Sequence, residues 1–192
     1  MAAPQKAKAT SPGSPARGTT LWLTGLPNAG KTTLARDVAE KLQAMGHRAQ
    51  VLDGNELRDW LSPGLGFSKA EREQHVLRVA HLASLLNDHG VWCVVAVIAP
   101  YRDLRQRAAR IIGGMLEVFL DCPLEVLAAR DTKDLYRRAL SGELPNFTGV
   151  SDPYEEPAEP FCRLRTDQDS AQDCCGQLFR HLRQVGIISP LP

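Results

Sequence analysis

An eight-residue segment of this sequence has the residue types and the spacing that bind a chain of phosphates. It reads GLPNAGKT from Gly25 to Thr32 and fits the pattern G-x-x-x-x-G-K-[ST]. Glycines let the backbone curl until successive N–H groups point at an anion, and the helix expected after the segment adds its positive end. Lys31 can reach the β- and γ-phosphates, and the Thr32 hydroxyl can bind Mg²⁺. The segment therefore predicts a site for a nucleoside triphosphate.

The predicted phosphate-binding residues are this segment and the residue that follows it. They are Gly25, Leu26, Pro27, Asn28, Ala29, Gly30, Lys31, Thr32 and Thr33. Loops of this kind serve kinases, GTPases, motor ATPases and adaptor switches alike, so the loop does not identify the acceptor. The GTPase base-reading motif Asn-Lys-x-Asp is absent from the sequence, which disfavours a GTPase switch.

A second candidate for chemistry is Asp53, which stands in the tripeptide Asp-Gly-Asn after a predicted strand. A carboxylate at this place could orient a hydroxyl group and accept its proton as a phosphoryl group moves. Asp-Gly is also common turn chemistry, and an aspartate there can cap a helix. The local sequence leaves both interpretations open.

The elements that must position these residues follow from the hydrophobic pattern. The predicted strands are 21–24, 49–52, 91–98 and 115–120, and the predicted helices are 31–45, 69–89, 103–112, 123–129 and 170–185. Strands joined by helices imply right-handed crossovers and a mainly parallel sheet with helices on both faces. We therefore predict a three-layer α/β fold.

Parallel sheets place their ligands beyond the carboxyl ends of the strands. Four predicted loops lie at that edge and are expected to converge there, namely 25–32, 53–58, 99–102 and 121–123. From residue 142 to residue 160 the chain is rich in Gly, Pro, Asp and Glu and lacks periodicity. A stretch of this length without regular structure is typical of a functional or disordered loop.

Length and composition limit the class of protein. The 192 residues suggest one domain at 19–192 after a flexible tail at 1–18, and 43% hydrophobic residues suffice for a core. The 23 basic and 22 acidic residues give a net charge of +1, which argues against nucleic acid or a membrane surface as partner. The five cysteines form no CxxC pair, as expected of buried thiols in a reducing, cytoplasmic setting.

Taken together, these motifs resemble those of the adenylylsulfate kinase family, whose members phosphorylate the 3′-hydroxyl of adenosine 5′-phosphosulfate (APS). The matching residues extend from about Leu21 through Pro160. Besides the phosphate loop they are Leu52-Asp53-Gly54, Leu65-Gly66-Phe67-Ser68, Pro100-Tyr101-Arg102, Arg130-Asp131, Lys133, Leu135, Tyr136, Phe147-Thr148-Gly149-Val150 and Asp152-Pro153-Tyr154-Glu155. The stretch FTG-x-x-DPYE is much more specific than the phosphate loop.

The resemblance implies a P-loop kinase fold with a mobile lid at roughly 130–160. It implies transfer of the γ-phosphoryl group from ATP with Mg²⁺ to APS, which gives PAPS in sulfate activation, and a homodimer. Asp53 is then the base, Lys31 and Lys133 act on the transferring phosphate, and Arg130 lies near the adenine of ATP. The implied acceptor-binding residues are Asp53, Arg58, Phe67, Arg72, His75, Lys133 and Phe147, with the two phenylalanines on either side of the APS adenine. The plainer alternative is that the aromatic residues belong to the core and the charges are solvated.

The sequence departs from the family pattern on the acceptor side. Asn55 and Glu56 stand where the pattern has aspartate and asparagine, His75 replaces an asparagine, and Leu77 replaces an arginine. Ala99 replaces a serine that the family can phosphorylate, and without a hydroxyl it predicts direct transfer from ATP. Two alternatives to APS phosphorylation stay open. The acceptor could be a related nucleotide with a different 5′ group, or the chain could be a diverged nucleotide-binding subunit without activity.

Overall fold

The structure is a computed structural model and describes residues 16–189 of the chain. Its strands form one five-stranded sheet and are β1 (Thr20–Thr24), β2 (Ala49–Asp53), β3 (Trp92–Ala96), β4 (Met115–Asp121) and β5 (Cys162–Arg165). Its helices are α1 (Lys31–Ala44), α2 (Gly54–Leu61), α3 (Lys69–Asp88), α4 (Arg102–Ile112), α5 (Leu124–Ala129), α6 (Leu135–Leu140) and α7 (Ala171–Gln184). All strand pairs are parallel, in the order β2-β3-β1-β4-β5, which confirms the predicted three-layer α/β fold.

The two faces of the sheet carry separate hydrophobic layers, because successive side chains of a strand point to opposite faces. In β1, Leu21 and Leu23 pack with α1 and α7, whereas Trp22 packs with α3 and α4. All three side chains are fully buried. The central strand is therefore apolar on both sides, as a parallel strand covered by helices must be.

The strand order creates a crevice beyond the carboxyl end of β1. The helix α1 leads from β1 to β2 on one face of the sheet, and α4 leads from β3 to β4 on the other face. Because the crossovers diverge at β1, the loops at this point separate and leave room for a ligand. The phosphate loop connects β1 to α1 and lies in that crevice.

Three elements were not predicted from the sequence. The segment 53–58 was expected to be a loop, but α2 begins at Gly54 because the Asp53 carboxylate caps it by accepting the Asn55 N–H at 2.8 Å. The short helix α6 lies within the predicted lid. The short edge strand β5 reads CRLR and has one fully buried side chain, Leu164, too little for a hydrophobic pattern.

The predicted tail, 1–18, lies mostly outside the described residues. Its last residues contact the folded body: Arg17 donates to the Asp88 carboxylate at 2.8 Å, and the Gly18 N–H donates to the Asn87 carbonyl at 2.7 Å. A Cβ on Gly18 would come within 2.0 Å of the Val91 carbonyl oxygen, so this position requires glycine. Among the described residues, no helix has the length and apolarity needed to cross a membrane.

Arg105 of α4 is a buried cation that joins three parts of the fold, and only 1% of it is exposed. Its guanidinium donates to Glu117 of β4 at 2.5 Å, to the Ala99 carbonyl at 2.8 Å and to the Glu155 carbonyl at 2.6 Å. A buried charge is tolerated only when it is paired and hydrogen-bonded. Arg105 therefore links β4 and the loop after β3 to the segment around residue 155.

We expect Arg105→Ala to lower the free energy of unfolding by about 3–5 kcal/mol. The Glu117 carboxylate and the carbonyls of Ala99 and Glu155 would lose their buried hydrogen-bond donor. Urea unfolding followed by circular dichroism measures this change. Arg110→Ala on the same helix is the control, since Arg110 is exposed, and its effect should stay within about 0.5 kcal/mol. Equal effects of the two substitutions would contradict the role given to Arg105.

Candidate functional site

The phosphate loop has the backbone conformation that its glycines predict. Gly25 has φ 152°, and a Cβ there would come within 2.6 Å of the Leu120 carbonyl oxygen. Gly30 has φ 90° and caps the start of α1, while Asn28 has φ 63°. These positive φ values turn the chain back on itself, so the loop ends on the N-terminus of a 14-residue helix.

Lys31 lies inside the loop. Its ammonium donates to the carbonyls of Gly25 at 2.9 Å and Leu26 at 2.7 Å. Burial lowers the pKa of Lys31 to about 7, and the Asp53 carboxylate opposes that shift. A cation held this way by two neutral carbonyls gains charge stabilisation when an anionic phosphate approaches.

Thr32 in the first turn of α1 contacts Asp53 at the end of β2. The Thr32 hydroxyl donates to Asp53 Oδ2 at 2.5 Å, and Asp53 itself is 4% exposed. The same carboxylate caps α2, so the two roles that the sequence left open, helix cap and member of the site, coexist in one residue. Both side chains offer oxygen atoms, the ligands that Mg²⁺ prefers, and they suit an ion held mainly by phosphates. The described residues contain no group of three or more His, Cys, Asp or Glu that could hold a metal alone.

On the opposite side of the crevice, two arginines flank an exposed aromatic ring. Phe67 is 57% exposed, and the guanidinium carbons of Arg58 and Arg72 lie 4.5 Å and 5.5 Å from its ring centroid. Burial, followed by the nearby Arg72 charge, lowers the pKa of Arg58. A pair of close cations beside an open aromatic face is suited to a ligand that carries a base and anionic groups.

Arg72 also connects this cluster to the predicted lid. It donates to the Phe67 carbonyl at 2.7 Å, to the Thr148 hydroxyl at 3.0 Å and to the Asn146 carbonyl. Phe147, between these two acceptors, is 8% exposed and packs edge-on against Tyr136 at 5.0 Å. The predicted aromatic pair therefore differs in exposure: Phe67 is open, whereas Phe147 belongs to the core cluster.

The segment 148–156 docks onto the carboxyl ends of the strands through polar contacts. The Tyr101 hydroxyl donates to Asp152 at 2.9 Å, and the Tyr154 and Thr24 hydroxyls are 2.9 Å apart. A cavity of about 530 Å³ lies between Leu26 of the phosphate loop and this segment. Nothing in the local sequence around these residues reveals contacts across 51 and 130 positions.

His75 is almost fully buried, with 3% of the residue exposed. Its Nδ1 lies 2.9 Å from the hydroxyl of Ser62, which is itself 1% exposed. Burial, followed by the nearby Arg58 and Arg78 charges, lowers the pKa of His75 to about 4, while the Gly54 backbone opposes the shift. Although predicted to bind the acceptor, His75 is buried in this structure, and its Nδ1 faces Ser62.

The other residues that depart from the family pattern differ in their exposure and contacts. Asn55 is exposed, and Glu56 forms an exposed ion pair with Arg36 at 3.1 Å. Leu77 packs partly buried against the α3 and α4 layer. Ala99 is buried with φ 42°, a left-handed conformation that is uncommon for a residue with a Cβ.

Arg130 and Lys133 lie on the surface beyond β4. Arg130 donates to the Thr166 carbonyl at 2.7 Å, next to the carboxyl end of β5. Lys133 is exposed, and its backbone N–H donates to Asp131 at 3.2 Å, so that carboxylate holds the backbone rather than the ammonium. Tyr136 of the same segment donates from its hydroxyl to the Pro27 carbonyl at 2.8 Å and thereby links α6 to the phosphate loop.

Comparison with known proteins connects this geometry to one family. Residues 17–165 match the family model for adenylylsulphate kinase. An adenylyl-sulfate kinase of Deinococcus deserti is 49% identical over 165 residues, which cover 86% of this chain and 91% of the relative. An adenylyl-sulfate kinase of a Synechococcus species is 45% identical over 172 residues, which cover 90% of this chain and 98% of the relative.

A solved structure is similar over nearly the same length. It is the APS kinase CysC of Mycobacterium tuberculosis in complex with AMPPNP and APS, with a TM-score of 0.84 and 39% identity. The match covers 88% of this chain and 99% of the other.

The buried His75 predicts how stability depends on pH. The unfolded chain binds a proton near pH 6.5, whereas the folded chain resists until about pH 4, so stability falls as the pH decreases through this interval. Arg58 and Arg78 are the charges that disfavour the protonated ring. We expect the melting temperature of the natural chain to fall more between about pH 7.5 and about pH 5 than that of His75→Asn, which cannot titrate.

The matched control is His81→Asn, because His81 is on the same helix and exposed. Its melting curve should shift with pH in parallel with that of the natural chain. A parallel shift for His75→Asn as well would show that the buried imidazole does not cause the pH dependence.

Proposed function

Because the chain belongs to the adenylylsulfate kinase family, we propose that it transfers the γ-phosphoryl group of ATP to the 3′-hydroxyl of APS. The products are ADP and PAPS, the activated sulfate nucleotide. The observation that carries the proposal is the 2.5 Å contact between Thr32 and Asp53. It holds a carboxylate beside the residues that would bind the terminal phosphates, where a phosphoryl acceptor must lose its proton.

The proposed reaction is an in-line displacement. The 3′-oxygen of APS forms a bond to the γ-phosphorus, the bond from that phosphorus to the β–γ bridging oxygen breaks, and ADP leaves. Asp53 accepts the proton of the hydroxyl group. Phosphoryl transfer depends mainly on positioning and on neutralised charge, so the remaining residues act by binding.

On the donor side, the phosphate loop and Lys31 hold the phosphates of ATP. Thr32 would hold Mg²⁺ together with phosphate oxygens, and the ion would neutralise charge on the transferring group. Lys31 moves its ammonium from the carbonyls of Gly25 and Leu26 to the phosphates. Because its pKa is lowered to about 7, binding of the anion also restores its positive charge.

On the acceptor side, Phe67 stacks on the adenine of APS, and Arg58 and Arg72 bind its phosphosulfate group. The exposure of Phe67 and the two guanidinium groups beside it support these roles. Phe147 covers the other face of the base from the segment that Arg72 holds, which requires its ring to leave part of its contact with Tyr136.

The segment 130–160 is proposed to act as the lid. Arg130 is proposed to contact the adenine of ATP, and Lys133, which is exposed, to close over the transferring phosphate. Gly142 and Gly149, with φ 80° and 91°, are the proposed hinges. Closure would exclude water, which competes with the hydroxyl as acceptor.

The transfer is proposed to be direct. At residue 99, between β3 and α4, the chain has an alanine, which has no oxygen that could carry a phosphoryl group. Its carbonyl instead accepts from Arg105 at 2.8 Å.

The proposal also includes a homodimer and a cytoplasmic location. The homodimer rests on the family resemblance. The location is supported by the five cysteines, all of which are unpaired, as in proteins of reducing compartments.

The proposed function is tested by a coupled assay of ADP release with ATP, Mg²⁺ and a panel of adenosine 5′-derivatives. We expect APS to have the highest kcat/KM, because its 5′ group supplies the anionic charge that Arg58 and Arg72 bind. A higher kcat/KM for another nucleotide would keep the reaction and replace the acceptor. ATP binding without transfer to any of them would favour the subunit without activity.

The substitution Asp53→Asn distinguishes a role of Asp53 as the base from a role in nucleotide binding. We expect kcat to fall about 10²–10⁴-fold, the usual contribution of a general base, while ATP affinity changes little. Steady-state kinetics and calorimetry of nucleotide binding measure the two quantities. Asp59→Asn is the control, since Asp59 is an exposed carboxylate of α2. Normal turnover by Asp53→Asn would exclude Asp53 as the base.

A further inference from the structure

One face of α3 holds the segment that connects α2 to α3. Glu71, His75 and Arg78 follow each other at spacings of four and three, which puts them on the same side of a helix. Each bonds to the connecting segment 61–68. Residues 71, 75 and 78 of α3 contact residues 66, 62 and 61 in turn, so the segment runs antiparallel to the helix. The helix therefore holds the segment along its length.

The outer two contacts fix the ends of the segment. At one end, Glu71 accepts the Gly66 N–H at 2.8 Å and the Ser68 hydroxyl at 2.5 Å, and it accepts the Ser68 N–H at 3.1 Å in the capping box of α3. At the other end, Arg78 donates to the Leu61 carbonyl at 2.9 Å. These contacts are partly open to solvent, and exposed polar contacts contribute little stability individually.

The middle contact differs because both partners are buried. His75 and Ser62 are 3% and 1% exposed, and the Nδ1 to Oγ distance is 2.9 Å. A buried polar group that loses its partner is costly, so each of these side chains holds the other in place. Ser62 is the C-cap of α2, and its carbonyl accepts the Leu65 N–H at 3.2 Å. The pair therefore fixes the point from which the segment leaves the helix.

The segment carries the acceptor side of the site. Phe67 is part of it, and Arg58 donates to the Gly66 carbonyl at 3.0 Å while its guanidinium lies 4.5 Å from the Phe67 ring. A displacement at Ser62 would thus shift both the aromatic face and the cation beside it. The phosphate loop and Lys31 lie on the other side of the crevice and share no contact with this pair in the described residues.

We propose that His75 is a positioning residue that acts through Ser62: their buried hydrogen bond holds segment 61–68 so that Phe67 and Arg58 face the acceptor nucleotide. This inference rests on the proposed function and deepens it, since it assigns to His75 an effect on acceptor affinity without contact with the acceptor. It gives this chain a specific use for the histidine that stands where the family pattern has asparagine.

The two ring nitrogens of His75 suggest a pair of variants. Nδ1 faces Ser62, whereas Nε2 faces the backbone of Gly54. The amide of asparagine occupies nearly the place of Nδ1, and the amide of glutamine that of Nε2. If the bond to Ser62 positions the segment, His75→Asn preserves it and His75→Gln does not.

Kinetics with APS and ATP varied separately test the proposal. We expect His75→Gln and Ser62→Ala each to raise the KM for APS about tenfold, with the KM for ATP within about twofold. The double variant should be no worse than either single variant, because both remove one interaction. His75→Asn should stay close to the natural chain, and so should His81→Ala, which changes an exposed histidine of the same helix.

Additive effects of the two substitutions, equal rises in both KM values, or a His75→Asn variant as impaired as His75→Gln would overturn the proposal. A contact between His75 and APS would give the first of these results, because Ser62→Ala would leave it intact. A distortion that spreads to both halves of the site would give the second.

Hydrogen exchange keeps the proposal testable if APS is not the acceptor. We expect the amides of Leu65 and Gly66 to exchange faster in His75→Gln than in the natural chain, and amides of the phosphate loop to exchange at unchanged rates. Unchanged exchange in segment 61–68 would overturn the positioning role. Failure of the natural chain to phosphorylate APS would instead overturn the proposed function and leave this readout in force.

Discussion

The short contact between the Thr32 hydroxyl and the Asp53 carboxylate is the interaction around which the site is organised. Thr32 lies in the first turn of α1, which follows β1, and Asp53 ends β2, but β3 lies between those two strands in the sheet. The contact therefore crosses the crevice that the strand order opens. It requires a short, curled phosphate loop on one side and a helix that starts directly at the strand end on the other. The capped start of α2 satisfies the second requirement, since it turns Asp53 into the end of a strand and the cap of a helix at once.

The sequence predicted the donor side more completely than the acceptor side, and the reason is physical. The phosphate loop works through backbone conformation, which glycine and its spacing reveal directly. The acceptor side depends on side chains that meet across long separations. Arg72 and Thr148 are 76 positions apart, and Thr24 and Tyr154 are 130 apart. Helical or strand periodicity carries no information about such polar contacts, so only the resemblance to a family could suggest them.

The elements that were not predicted from the sequence have the same explanation, because individual polar contacts determine them. The helix α2 was expected to be a loop because Asp-Gly usually marks a turn, and only the capping bond from Asn55 shows that the turn continues into a helix. The segment 148–156 contains no helix or strand, but it is fixed to the strand ends. Arg105, buried beneath it, donates to the Glu155 carbonyl, and the Arg102 N–H donates to the Glu155 carboxylate. A long segment without regular structure can therefore be well placed when buried side chains satisfy its backbone.

Relative to the family pattern, the changed residues of α2 move a negative charge around the helix without changing the number of charges. Relative to the family pattern, the acidic residue moves from position 55 to position 56, which rotates it by about 100° around the helix. In both positions it lies in the first turn of α2, where a negative charge is favoured by the helix dipole. In this chain the moved carboxylate, Glu56, pairs with Arg36 of α1 on the outer surface. Asp53 is thereby left without an acidic neighbour at position 55. Since ATP and APS are both anions, a crevice edge with one carboxylate fewer repels them less.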